Sequence, residues 1–194
     1  MVPYFPDFIQ NTDIAVLNWI HEHLSCPFLD AVMPAVTALG NAGWFWIMIA
    51  VLMLIPKKTR KVGLMMGVAL ILGLAIGNGV LKNLFARVRP YDLESALVTT
   101  PIINKPHDFS FPSGHTLASF EAASVLLFAR KDHFGWKVAA PALVLAFLIA
   151  FSRLYLYVHF PSDILGGMIL GTLFGFCGVV IIRALEKKFF TKKA

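Results

Sequence analysis

Between residues 62 and 86 the chain carries one charged side chain, Lys82. That stretch constrains the fold more than any other. About 20 apolar residues in a helix cross the roughly 30 Å hydrocarbon core of a bilayer. Backbone inside lipid must satisfy its own hydrogen bonds, so only helices or a closed barrel can span it. Further apolar runs occupy 28–39, 43–55, 114–129, 138–156 and 161–182. Hydrophobic residues make up 58% of the chain and charged ones 14%; soluble domains run at about 45–50% and about 25%. The sequence therefore predicts an all-α, polytopic membrane helical bundle of about six transmembrane helices. Runs 28–39 and 43–55 are short; they are read as spans one and two, the first extended across Pro27 by the preceding helix. Residues 1–25 mix Ile14, Leu17, Trp19, Ile20 and Leu24 with Asn18, His21, Glu22 and His23. They read as an N-terminal amphipathic helix at the membrane interface. No linker divides the chain, so 1–194 reads as a single membrane-embedded domain. Cys26 and Cys177 read as buried free thiols, and no removable signal peptide is expected.

The formal net charge is +6, but its placement argues against nucleic acid. Lys57, Lys58, Arg60 and Lys61 form one cluster, Arg130, Lys131 and Lys137 a second, and Arg183, Lys187, Lys188, Lys192 and Lys193 a third. Each abuts an apolar run, as topology-setting loops do. Counted over six spans, all three fall on one side, the cytoplasmic one, with both termini. The 40–43 break, the 87–112 loop and the 152–163 turn then face outward. Lys82, Arg87, Arg89, Lys105 and Arg153 lie on that outer side, against the topological bias.

Ionisable residues in a membrane bundle are functional candidates by default, and three polar strings contain them. Lys82 and Arg89 are seven apart, nearly two helical turns, so a helix ended by Pro90 points both one way, about 10 Å apart along the axis. Alone they would pass for a snorkelling pair. Pro112-Ser113-Gly114-His115 opens the next apolar run. A helix N-terminus there offers free N–H groups to an anion, although a plain N-cap reads equally well. Ser152-Arg153 ends one run, and His159 and Asp163 flank the start of the last. Pro161 suits the first helical position, which lets Asp163 reach back to His159 and fix its tautomer. Three cations with one carboxylate call for an anion, and phosphate is the natural candidate. With no Asp/Glu cluster for magnesium and no His/Cys set for zinc, no metal or cofactor is expected. Glu121 could bond a neighbouring serine, sit protonated or serve a function; the structural reading is taken.

In order, Lys82-x6-Arg89-Pro90, Pro112-Ser113-Gly114-His115 and Ser152-Arg153-x5-His159-x3-Asp163 resemble the three-part signature of the type 2 phosphatidic acid phosphatase superfamily, over roughly residues 62–184. The resemblance implies a metal-independent membrane lipid phosphatase of the bacterial inner membrane, with its site on the extracytoplasmic face. It implies His159 as nucleophile through a phosphohistidine, Asp163 orienting it, His115 protonating the leaving oxygen, and Lys82, Arg89, Arg153, Ser113 and Gly114 holding the phosphoryl oxygens. Undecaprenyl diphosphate, phosphatidylglycerophosphate and phosphatidic acid all fit as substrates. Phosphotransfer between lipids, or binding and transport without turnover, are the alternatives.

Overall fold

The structure is a computed structural model that describes residues 5–93, 96–99, 101–130 and 134–190. Lys131, His133, Lys192 and Lys193 lie outside the described residues.

Each apolar run is helical, and local chemistry sets where three of the helices begin. Pro27 and Pro161 take the first helical position of theirs, where a missing N–H costs nothing. Ser113 is extended, and its hydroxyl accepts from the amide of Thr116. Among the described residues there are seven helices: α1 (Asp7–Leu24), α2 (Pro27–Ala38), α3 (Trp44–Leu54), α4, α5 (Gly114–Phe128), α6 (Trp136–Tyr155) and α7 (Pro161–Phe190). α4 runs through Arg60–Leu72, a π-helical stretch Gly73–Leu81 and a last turn Lys82–Phe85. α4, α6 and α7 are long and apolar enough to cross a membrane, and α2 with α3 makes a fourth candidate.

Two expectations change here. The short runs read as spans one and two form one bent pair, a single candidate span rather than two. α2 and α3 meet at a 42° bend, built from a 3₁₀ turn at Asn41–Gly43 with Ala42 at φ 50° and Gly43 at φ 67°. A bend of that size redirects a helix without reversing it. The bent pair with α4, α6 and α7 makes up to four candidate spans, where about six were expected. α1 and the C-terminal end of α7 occupy opposite ends of the bundle, not one side. At the first end the Asp13 carboxylate accepts from the Ser162 amide at 2.9 Å and Asn18 Oδ1 from the Tyr157 hydroxyl at 2.6 Å. At the other end Lys61 pairs with Glu186 at 2.5 Å, and Arg183 donates to the Phe128 carbonyl. The described members of the three basic clusters share that second end. Cys26, between α1 and α2, is exposed and Cys177 is half-buried.

α5 is the central helix, buried almost continuously from Thr116 to Leu126. α7 reaches it through small residues: a Cβ at Gly171 would lie 2.6 Å from the Leu117 carbonyl oxygen, and one at Gly178 2.4 Å from that of Met65 on α4. Close backbone approach of this kind drives helix association in lipid. Gly67 on α4 differs: a Cβ there meets nothing within 4 Å. Gly178→Ala should therefore lower stability by about 1–3 kcal/mol, measured as melting in detergent. Gly67→Ala should leave it unchanged or slightly raise it, through better helix propensity.

Candidate active site

Pro161 starts α7 immediately after His159, so the chain turns tightly enough for Asp163 to face back. Its Oδ2 lies 3.4 Å from His159 Nδ1 and accepts from the Phe160 amide at 2.9 Å and the Ser110 hydroxyl at 2.5 Å. On the far side of the ring, Arg89 Nη1 lies 3.1 Å from Nε2. A guanidinium only donates, so Nε2 accepts and Nδ1 carries the proton toward Asp163 and Ser110. His159 is fully buried. Burial first, then Arg89, Arg153, Lys82 and His115, hold its ring well below the usual imidazole range. The ring is neutral, with the Nε2 lone pair directed at Arg89.

Arg89 and Lys82 meet on one anion. Asp108, half-exposed on the long loop, places Oδ1 2.7 Å from Arg89 Nη2 and Oδ2 against Lys82 Nζ. Partial burial works to raise the Asp108 carboxyl, and the two cations outweigh it, holding it at about 2. Arg89 also donates to the carbonyls of Asp108 at 2.8 Å and Val158 at 2.6 Å, and Lys82 to that of Phe109 at 2.9 Å. These two cations do not share a helix, as their spacing suggested. The helix stops at Phe85 because Ala86 adopts a left-handed φ of 40°, its amide closing on the Lys82 carbonyl at 2.9 Å. Residues 86–89 are not helical, and this stretch brings Arg89 back beside Lys82 on Asp108.

Ser113 is buried at the N-cap of α5, its amide donating to the Asp163 carbonyl at 3.2 Å. Gly114 begins the helix; a Cβ there would lie 3.0 Å from Asn78 Oδ1. The His115 ring lies against Gly40, where a Cβ would be 2.6 Å from Cδ2, and Nε2 contacts Asn41 Oδ1 at 2.9 Å. Arg153 is buried and donates from Nη1 to Thr37 Oγ1 at 2.6 Å; its Nε has no partner. The structure thus brings His115, His159, Asp163, Lys82, Arg89, Arg153, Ser113 and Gly114 to one end of the bundle.

Sequence reasoning missed Ser110, Asn41 and Thr37, and gave Asp13 and Asp108 no place in the site. Arg87, which the sequence places only beside the site strings, is buried and bonded to Asp163 Oδ1 at 2.6 Å and Asp13 Oδ2 at 2.6 Å. The two neighbouring acids, Asp108 and Asp13, offered a weak signal, since each balances an outer-side cation. Among the described residues no group of three or more His, Cys, Asp or Glu is placed to hold a metal ion.

From Gly40 and Gly114 an apolar groove of about 670 Å³ extends between α3 and α4, past Leu74 and Leu117 to Leu54. The buried Glu121 carboxyl lines it, with Oε1 unpartnered. A Cβ at Gly73 in the π stretch would lie 1.7 Å from that oxygen, so the glycine makes room for the acid.

The chain is thus a helical membrane bundle with a buried His–Asp pair beside converging cations. The PAP2 superfamily profile matches residues 61–187, and the chain belongs to that superfamily of membrane lipid phosphatases. It is 34% identical to an undecaprenyl-diphosphatase of Sulfolobus acidocaldarius over 154 residues, covering 79% of this chain and 70% of that protein. It is 34% identical to phosphatidylglycerophosphatase B of Bacillus subtilis over 172 residues, 84% of this chain and 77% of that one. The fold resembles the crystal structure of a transmembrane PAP2-type phosphatidylglycerolphosphate phosphatase from Bacillus subtilis, with a TM-score of 0.73 and 29% identity over 94% of this chain and 88% of that chain.

Proposed function

We propose that this protein hydrolyses a lipid phosphate or diphosphate, of the undecaprenyl diphosphate or phosphatidylglycerophosphate type, through a phosphohistidine on His159. One observation carries the reading: a single guanidinium, Arg89, touches both a bound carboxylate and the lone-pair nitrogen of His159. An anion seated on Arg89 and Lys82 is therefore next to a nucleophile. The substrate phosphoryl group takes the place Asp108 holds on these cations, with Arg153, Ser113 and the Gly114 amide supplying further donors. Preorganised donors of this kind stabilise the charge of the transition state.

His159 Nε2 bonds to phosphorus as the bond to the leaving oxygen breaks. Asp163 holds the Nδ1 proton and balances the positive ring. His115, kept protonated by the dianion beside it, gives its proton to the leaving oxygen. Water then attacks phosphorus, the N–P bond breaks, phosphate leaves, and His115 recovers a proton from that water. Two displacements replace one difficult hydrolysis.

The groove between α3 and α4 gives an apolar chain a way along the bundle to Gly114. With the basic clusters inside, the bent pair and α4 to α7 cross a bacterial inner membrane five times. α1 lies at the outer end, and the site opens on the extracytoplasmic face. Phosphate release from detergent-solubilised protein, with chelator present, should occur with lipid phosphates and diphosphates without any acceptor lipid. Release only on addition of an acceptor would make the protein a phosphotransferase, and binding without release would remove the enzymatic reading.

A further inference from the structure

Arg87 belongs to none of the three signature strings, and Asp13 lies before residue 61, where the superfamily match begins. Both are nonetheless buried at the site. The Arg87 guanidinium sits between the rings of Phe5 and Phe160, 3.9 and 4.0 Å from their centroids. Nη1 donates to Asp163 Oδ1 at 2.6 Å and Ser162 Oγ at 2.7 Å. Nη2 donates to Asp13 Oδ2 at 2.6 Å and Gln10 Oε1 at 2.8 Å. Asp13 Oδ1 also accepts from the Ser162 amide, and Oδ2 from its hydroxyl. With both Nη atoms engaged behind Asp163, this cation is turned away from the anion subsite of Lys82 and Arg89.

From this arrangement we infer that Arg87 and Asp13 are positioning residues, forming a buried relay Asp13–Arg87–Asp163–His159 through which α1 sets the nucleophile. The inference rests on the reading of His159 as nucleophile. Arg87 claims Oδ1 of Asp163 and leaves Oδ2 to the Phe160 amide, Ser110 and His159 Nδ1, so the carboxylate is fixed at both oxygens. Charge gives the relay a second effect. Two carboxylates, one guanidinium and a neutral imidazole sum to one negative charge. The ring becomes positive as Nε2 bonds to phosphorus, and the four groups then sum to zero. Away from water such compensation is strong, and it favours the phosphorylated state over the resting one. Removing the Asp13 charge removes that advantage while leaving every phosphoryl-binding group in place.

The test is rapid-quench formation of phosphohistidine from a labelled lipid diphosphate by the full chain in detergent. Its rate constant at saturating substrate does not depend on the fraction of protein that is folded. Asp13→Asn should lower it by about 10- to 100-fold, as loss of the outer partner of an oriented histidine does, with KM changed by less than about 3-fold. Arg87→Lys, which keeps the charge and loses the fork, should fall between Asp13→Asn and wild type. Ser162→Ala, which removes one hydroxyl of the network, should show the same split on a smaller scale and serves where Asp13→Asn does not accumulate. Lower amplitude at an unchanged rate constant would make the relay structural only and overturn the inference. A rise in KM at constant maximal rate would do so too, by assigning Arg87 to substrate. If His159→Ala itself formed phosphoenzyme, the underlying reading would fail instead, whatever the relay variants showed.

Discussion

Replacing His159 with alanine should reduce turnover by about 10⁴-fold or more, since removal of a nucleophile leaves only what binding and electrostatics supply. The structure argues that this loss comes without collapse of the site. Asp163 keeps Arg87, Ser110 and the Phe160 amide as partners, and Arg89 keeps Asp108 and the Val158 carbonyl. The deleted ring held three such neighbours at 3.1, 3.3 and 3.4 Å, so the folding cost is about 1–3 kcal/mol. The variant should stay monodisperse in detergent, retain lipid phosphate binding and form no acid-labile phosphoenzyme. Phosphate release at a near-native rate would remove His159 from the mechanism. Because burial and the neighbouring cations hold the ring well below the usual imidazole range, the wild-type nucleophile is already neutral at pH 7. Its protonation then limits the free enzyme only well below pH 6.5, the value of an unperturbed imidazole.

The His159–Asp163 pair was legible because its geometry is local: four residues, with a proline fixing the first helical position between them. Ser113 as an N-cap was legible for the same reason. The helical spacing of Lys82 and Arg89 misled, since nothing in the residue type of Ala86 announces a left-handed φ of 40°. Asn41 and Thr37 were invisible, because their partners, His115 and Arg153, lie 74 and 116 residues away. Such contacts are settled by packing, not by local pattern. The bend between α2 and α3 was hidden on the same ground. Two short apolar runs around Gly40 and Gly43 look alike whether the chain bends by 42° or turns back. Once the bend is known, α1 falls at the end of the bundle that holds the site, and Asp13 becomes a neighbour of Asp163 and Ser162 through Arg87.

His115→Ala should separate substrates that the signature leaves together. A phosphate monoester expels an alkoxide, a poor leaving group that needs a proton as the P–O bond breaks. General acid catalysis of such a step contributes about 10²–10⁴-fold, so monoester turnover should fall by that amount. A lipid diphosphate expels a lipid phosphate, whose negative charge is already shared among oxygens, and its turnover should fall by about 10-fold or less. The position of the ring supports the acid role. Its Nε2 contacts Asn41 Oδ1 at 2.9 Å, and Gly40 holds its face. A phosphate dianion beside the ring favours its charged form, so the acid takes its proton when substrate arrives. Initial rates for one lipid chain carrying either a monophosphate or a diphosphate would measure the ratio. Equal losses on both would mean that His115 binds the phosphoryl group and does not deliver a proton. A larger loss on the diphosphate would instead place the ring on the second phosphate.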